Sequence, residues 1–193
     1  NSGHVRIYMW NGSSWTQLGQ DIDGEAANDN SGWSVSMSSD GNKVAIGAVN
    51  NDGNGNTSGH VRIFQNIGGS WSQIGDDIDG ESANDNSGWS VSLSGDGYTL
   101  VIGAVGSDVN GTDAGHVRVY SNIVPVNGCT DNTAINYDPL ATVDDGSCCG
   151  NIGMIWNQIG QDIDGEAADD KSGYLGGSVS TSSDGNILAI GAR

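Results

Sequence analysis

Among 193 residues there are one phenylalanine, two prolines, three cysteines and only six lysines and arginines. So little proline beside 32 glycines excludes collagen and polyproline linkers, and fits many tight turns between short strands. Leucine, lysine and glutamate are sparse where serine, asparagine, aspartate and glycine dominate, a poor composition for helix. No apolar run approaches the roughly 20 residues that a membrane-spanning helix needs, so membrane insertion is not expected. The six basic residues face 24 acidic ones, for a net charge of −18. That balance excludes nucleic acid, whose phosphates call for lysine and arginine to displace counterions. An anionic membrane surface would be repelled for the same reason. Cations, or partners with basic patches, are what such a charge attracts, and plain solubility is its other use.

Chemical signatures are scarce as well. There is no Gly-x-Ser-x-Gly elbow, no His-Glu-x-x-His and no Gly-Lys-Ser/Thr phosphate loop. Carboxylates that could form a glycosidase pair come in triplicate, whereas a catalytic pair is usually unique, so an enzyme is not expected. No signal peptide is visible and the chain opens inside a repeat, which suggests a processed or truncated piece.

What is present is repetition. His4, His60 and His116 each stand in Gly-His-Val-Arg at an interval of 56 residues (60 − 4 and 116 − 60). Trp15 and Trp71 keep the same interval, as do Trp33 and Trp89. Trp156 follows Trp71 by 85 residues, so that copy carries 29 more (85 − 56). Within a unit four short strands, A to D, are legible. Strand A, from Trp33 to Ser38, alternates Trp33, Val35 and Met37 with serines. An Asp40-Gly41 hairpin signal follows, repeated at Asp96-Gly97 and Asp184-Gly185. Strand B is Lys43 to Ala48. Strand C, from His60 to Phe64, puts Val61 and Ile63 on one face and His60, Arg62 and Phe64 on the other. Strand D runs from Trp71 towards Ile78. Four-stranded units repeated without helices predict an all-β fold of β-propeller blades, each a four-stranded antiparallel sheet. Small residues on A and B suit the narrow axis, and Tyr8, Phe64 and Tyr120 on C suit the wider rim. A flat solenoid of sheets is the structural alternative. The chain reads CD, ABCD, ABCD, AB, about three blade equivalents. A closed ring takes about four to eight blades, so part of a larger propeller, or self-association to complete one, is expected.

The strings Gly32-Trp33-Ser-Val-Ser, Val44-Ala-Ile-Gly-Ala48 and Gly59-His-Val-Arg-Ile-Phe64 resemble the FG-GAP repeat of integrin α-subunit propellers. The resemblance implies an adhesion-type propeller. It departs from that family in three places. The aromatic follows the glycine (Gly32-Trp33, Gly88-Trp89, Gly173-Tyr174), and Val49, Val105 or Arg193 replaces the proline after Gly-Ala. The short Ser39-Asp40-Gly41-Asn42 connection cannot supply the six or so oxygens that the family's calcium loop between strands A and B would need.

Cation chemistry is therefore expected in the D-to-A connections. Their carboxylates are Asp21, Asp23, Glu25 and Asp29, then Asp77, Asp79, Glu81 and Asp85, then Asp162, Asp164, Glu166 and Asp170. Several carboxylates and amides per loop suit Ca²⁺, a hard cation that takes oxygen ligands. Asp and Asn also cap turns with their own side chains, which is the competing use. The B-to-C loops (Asp52 to Asn56, Asp108 to Thr112) should emerge at the same end and share one acidic rim. Arg6, Arg62 and Arg118 recur at one repeat position and are expected to pair with carboxylates of their own or a neighbouring blade. The histidines lack a close His or Cys partner in sequence, so no metal role is expected of them. Trp15, Trp71 and Trp156 can stack on sugars or pack between blades.

Three segments result: blade repeats over 1–122, an insert over 123–150 and further blades over 151–193. The insert resembles a short Cys-bounded module of secreted, often marine, proteins. A Cys129–Cys148 disulfide would staple a piece too small to bury a core, and it implies an oxidising compartment. Cys149 is left over. The expected function is a secreted or cell-surface adhesion or structural module, Ca²⁺-stabilised, with a protein or glycan on a surface as partner. A carbohydrate-binding propeller is the alternative.

Overall fold

The computed structural model describes residues 2–122, 157–164 and 179–191. Every regular element among them is a strand: β1 (His4–Val5), β2 (Tyr8–Trp10), β3 (Trp15–Gln17), β4 (Ile22–Asp23), β5 (Ser31–Met37), β6 (Lys43–Ala48), β7 (His60–Ile67), β8 (Ser70–Gln73), β9 (Ile78–Asp79), β10 (Ser87–Leu93), β11 (Thr99–Ala104), β12 (His116–Ser121), β13 (Asn157–Gln158), β14 (Ile163–Asp164), β15 (Val179–Thr181) and β16 (Leu188–Ile190). Two antiparallel sheets, β5-β6-β7-β8 and β10-β11-β12-β13, are the complete blades. A C–D group (β1 with β4, β2 with β3) precedes them, and an A–B pair (β15 with β16) follows. The all-β blade architecture expected from the repeat is what these residues form. The insert, with Cys129, Cys148 and Cys149, lies outside the described residues.

Two local expectations change. Strand D is not one strand but two: β8 and β9 both pair with β7, as β13 and β14 both pair with β12. Gly75, at φ +74°, breaks the line between them. Nor is the Asp-Gly turn a two-residue hairpin. Ser38 and Lys43 close the loop, with the Ser38 amide donating to the Lys43 carbonyl at 3.0 Å. The Lys43 amide donates back to Ser38 Oγ at 2.9 Å. Inside the loop Asp40 Oδ1 accepts from Ser38 Oγ at 2.6 Å and from the Asn42 amide at 3.0 Å. These bonds hold the Asp40 carboxyl below its usual range. The same set recurs around Asp96 and Asp184. An aspartate that accepts from its own loop chooses the wider turn. We expect Asp96→Ala to cost about 1–2 kcal/mol in urea unfolding, and Asp96→Asn to cost less because the amide keeps one acceptor.

The core lies between blades. Ile7, Ile22, Val44, Ile46, Phe64 and Trp71 fill the first junction. Ala45, Val61, Ile63, Leu93, Leu100, Ile102 and Tyr120 fill the second. Val101, Val117 and Val179 fill the third. Strand B is buried along its whole length because both of its faces meet a neighbouring blade. The serine face of strand A meets the next blade with its hydroxyls. Ser34 Oγ donates to the Gly88 carbonyl at 2.7 Å, Leu93 N donates to Ser36 Oγ at 2.9 Å, and Thr181 N donates to Ser92 Oγ at 3.1 Å. The opposite face of β10 packs on β5, with Trp89 at 4.9 Å from Trp33. The equivalent face of β5 (Trp33, Val35, Met37) is exposed, because the group preceding it provides strands C and D only.

Candidate functional site

The D-to-A and B-to-C loops do meet at one end of each blade. Asn54 Nδ2 donates to the carbonyls of Gly80 and Glu81 at 2.9 and 3.1 Å. Thr57 Oγ1 donates to Asn84 Oδ1 at 3.1 Å. Asn28, Asn30, Asn84 and Asn86 take left-handed backbone (φ +53° to +78°), which asparagine tolerates better than most residues. Asp29 is buried in the loop it helps to fold, its Oδ2 accepting from the Ala26 amide at 3.1 Å and from Asn51 Nδ2 at 3.0 Å. Asp85 repeats this with the Ser82 amide at 2.9 Å. These two carboxylates serve the turn.

At the junctions a different set converges. Glu25 extends from the loop entering the first complete blade towards His60, which opens strand C of that blade. Asp77, from the break between β8 and β9, approaches the same imidazole. His60 Nδ1 lies 3.7 Å from Asp77 Oδ2 and 3.9 Å from Glu25 Oε2. The next junction repeats the set with Glu81, His116 and Asp162, and in each cluster the ligating atoms lie within 4.8 Å of one another. Both histidines are fully buried, and neither Nδ1 has a hydrogen-bond partner. Burial lowers the affinity of both rings for a proton, aided by Arg62 and Arg118, and outweighs the carboxylates that pull the other way.

The outer oxygens of these carboxylates are held. Gln73 Nε2 donates to Asp77 Oδ1 at 2.7 Å, and Gln158 Nε2 donates to Asp162 Oδ1 at 2.5 Å. Arg62 Nη1 lies 3.4 Å from Glu25 Oε1, and its Nη2 donates to the Asp23 carbonyl at 2.7 Å. Arg118 does the same with Glu81 at 3.8 Å and the Asp79 carbonyl at 2.7 Å. The recurrent arginine thus pairs across the blade junction, as its position predicts. Arg6 has no such glutamate among the described residues. It pairs with Asp21 of its own blade at 2.9 Å, which lowers that carboxyl's pKa together with Gln17. A cleft of about 390 Å³ opens over the second cluster, lined by Glu81, Val109, Gln158, Gly160, Gln161 and Asp162.

The twelve carboxylates expected to bind a cation therefore separate. Glu25, Asp77, Glu81 and Asp162 converge on histidines, and Asp29 and Asp85 fold their loops. Asp21 is taken by Arg6 and Gln17. Asp23 and Asp79 pair with His4 and His60 in the ladder, and burial pushes the Asp79 carboxyl up. Asp164 pairs with His116 through its backbone. Glu166 and Asp170 lie outside the described residues. Sequence reading set the histidines aside because their partners are 35 residues before and 17 after His60 (60 − 25 and 77 − 60). The usable signal was joint recurrence: Glu, His and Asp repeat together from one unit to the next. Trp71 is spent on packing, buried with its Nε1 donating to the Leu18 carbonyl at 2.8 Å. Trp15 is exposed, and Trp156 lies outside the described residues.

Stacked four-stranded blades joined along strands A and B define the chain as a β-propeller array. Two of its segments, 22–64 and 78–120, match the FG-GAP repeat. Each matched segment runs from the short second half of one strand D to strand C of the following blade, so it contains both the glutamate and the histidine of one junction. No curated protein matches the chain. Among the described residues no helix is long and apolar enough to cross a membrane.

Proposed function

We propose that the chain is an extracellular or cell-surface adhesion and scaffolding module, whose acidic rim engages a protein or glycan on a surface and whose blade junctions are stiffened by a bound cation. Its role is binding rather than catalysis. The observation that carries this reading is the pair of FG-GAP repeats stacked so that their polar loops share one end. A net charge of −18 makes a basic surface the natural counterpart. Calcium is the cation the acidic loops suggest by composition. The carbohydrate-binding alternative needed the repeated tryptophan free to stack. Trp71 is buried, which leaves the exposed Trp10–Trp15 pair, with ring centroids 5.5 Å apart, as its support.

The chain, immobilised, should retain a lysine-rich protein at low salt and release it as ionic strength rises, because exposed charges are screened over about 10 Å at 0.1 M. Retention that ignores salt, or no retention at all, would remove the electrostatic basis of the reading. On a glycan array, binding to a defined sugar that is lost in Trp15→Ala would move the assignment to the lectin class.

A further inference from the structure

We infer that each complete blade junction is a binding site for a divalent transition-metal ion of the zinc class, held by Glu25, His60 and Asp77 at one junction and by Glu81, His116 and Asp162 at the next. This rests on the cation-stiffened reading above and specifies its ion.

The argument starts from the imidazole. His60 is 1% exposed, and its Nδ1 points at two carboxylate oxygens, at 3.7 and 3.9 Å, too far to share a hydrogen bond. A buried polar atom without a partner costs free energy, and in the tautomer that carries its proton on Nε2 the ring adds a third lone pair to the two carboxylate oxygens facing one point. A metal ion answers it by taking all three lone pairs. His116, with no exposure and both ring nitrogens unpartnered, presents the same problem at the second junction.

The donor set selects the ion. Calcium takes roughly six to eight oxygens, whereas two carboxylates and one imidazole, with a position left for water, suit zinc. Donors around a tetrahedral zinc lie about 3.3 Å apart, so the His60 contacts at 3.7 and 3.9 Å would contract by about half an ångström on binding and the other separations, which reach up to 4.8 Å, by more. The supports are those a metal site uses. Gln73 and Arg62 hold the outer oxygens of Asp77 and Glu25 and leave the inner ones facing His60. Arg62 brings one positive charge, which the two carboxylates exceed, and Asp79 adds to their field. Glu25 and Glu81 are solvent-exposed, and a cleft lies over Glu81 and Asp162, so an ion can enter.

The test uses the full chain, stripped of metal by a chelator and with its cysteine thiols alkylated. Zinc is titrated by calorimetry, cobalt by visible absorption, and calcium in parallel. The expected result is about two equivalents of zinc per chain and a melting midpoint that rises with zinc, since an ion bound only by the native state stabilises it. Calcium at the same concentration should leave the midpoint unchanged. Paired Glu25→Gln and Glu81→Gln changes, which keep an amide oxygen beside Arg62 and Arg118, should weaken zinc binding more than about tenfold. Paired His60→Gln and His116→Gln changes should abolish it and the cobalt ligand-field bands. Undiminished zinc binding in the glutamate variant overturns the inference, as does a zinc-independent midpoint in the parent. A midpoint raised by calcium alone overturns it while the calcium-stiffened reading stands. A midpoint moved by neither ion removes both.

Discussion

Gly80→Ala should be among the most damaging single methyl additions in the two complete blades, lowering stability by more than about 4 kcal/mol and the melting midpoint by about 10 °C. A Cβ at Gly80 would stand 2.0 Å from the Ser58 carbonyl oxygen and 2.7 Å from its carbon. Both are backbone atoms, so no rotamer change relieves the clash. The segments are also tied in place: the Gly80 amide donates to the Gly59 carbonyl at 2.7 Å, and the Ser87 amide donates to Ser58 at 2.9 Å. Gly59 closes the same crossing in a parallel bridge with Ser87. The glycine of Gly-His-Val-Arg and the glycine of Ile-Asp-Gly-Glu are thus two sides of one backbone contact. Gly68→Ala is the control. It adds a methyl at φ +61° with nothing within 4 Å, so it isolates the left-handed penalty of roughly 1–2 kcal/mol. Urea unfolding followed by circular dichroism measures both. Equal losses in the two variants would show that close approach is not what demands glycine at position 80.

The second large effect is expected on strand B. Ile102 is fully buried within the second junction. Ile102→Ala removes its contacts there and leaves a cavity, for a loss of about 3–4 kcal/mol. Val35→Ala removes apolar atoms from a residue that is 54% exposed, so it should change stability by less than about 0.5 kcal/mol. Comparable losses at the two positions would mean that the outer face of β5 is covered in solution, and light scattering on the same samples would reveal the copy that covers it.

Most of the architecture could be read from the sequence because it rests on short-range pattern. Alternation along Trp33-Ser-Val-Ser-Met and the recurrence of Gly-His-Val-Arg each fix a strand and a face without reference to distant residues. The division of strand D was not legible, since Gly75 fits the interior of a weak strand as well as a break. The width of the Asp-Gly turn was also missed. It depends on where the Asp40 carboxyl finds donors, and the dipeptide alone does not record that. The candidate site was half legible. Composition located the acidic loops, but it could not distinguish Asp29, which folds its loop, from Glu25, which leaves it. Nor could it bring His60 to residues from either side of it in the chain. Only stacking of blades does that, because Glu25 belongs to the loop that enters a blade while His60 opens that blade's strand C and Asp77 lies in the break of its strand D.

The pairing of Arg62 with Glu25, and of Arg118 with Glu81, gives the array a polarity. Both of these junctions are fastened like a hook to an eye, with the acidic hook on the earlier connection and the basic eye on the later strand. Units carrying both parts can therefore be exchanged between positions or added in series, provided their order along the chain is kept. A unit inserted with its connection cut between hook and eye would leave one buried guanidinium without its carboxylate, and the error would be local to that fastening.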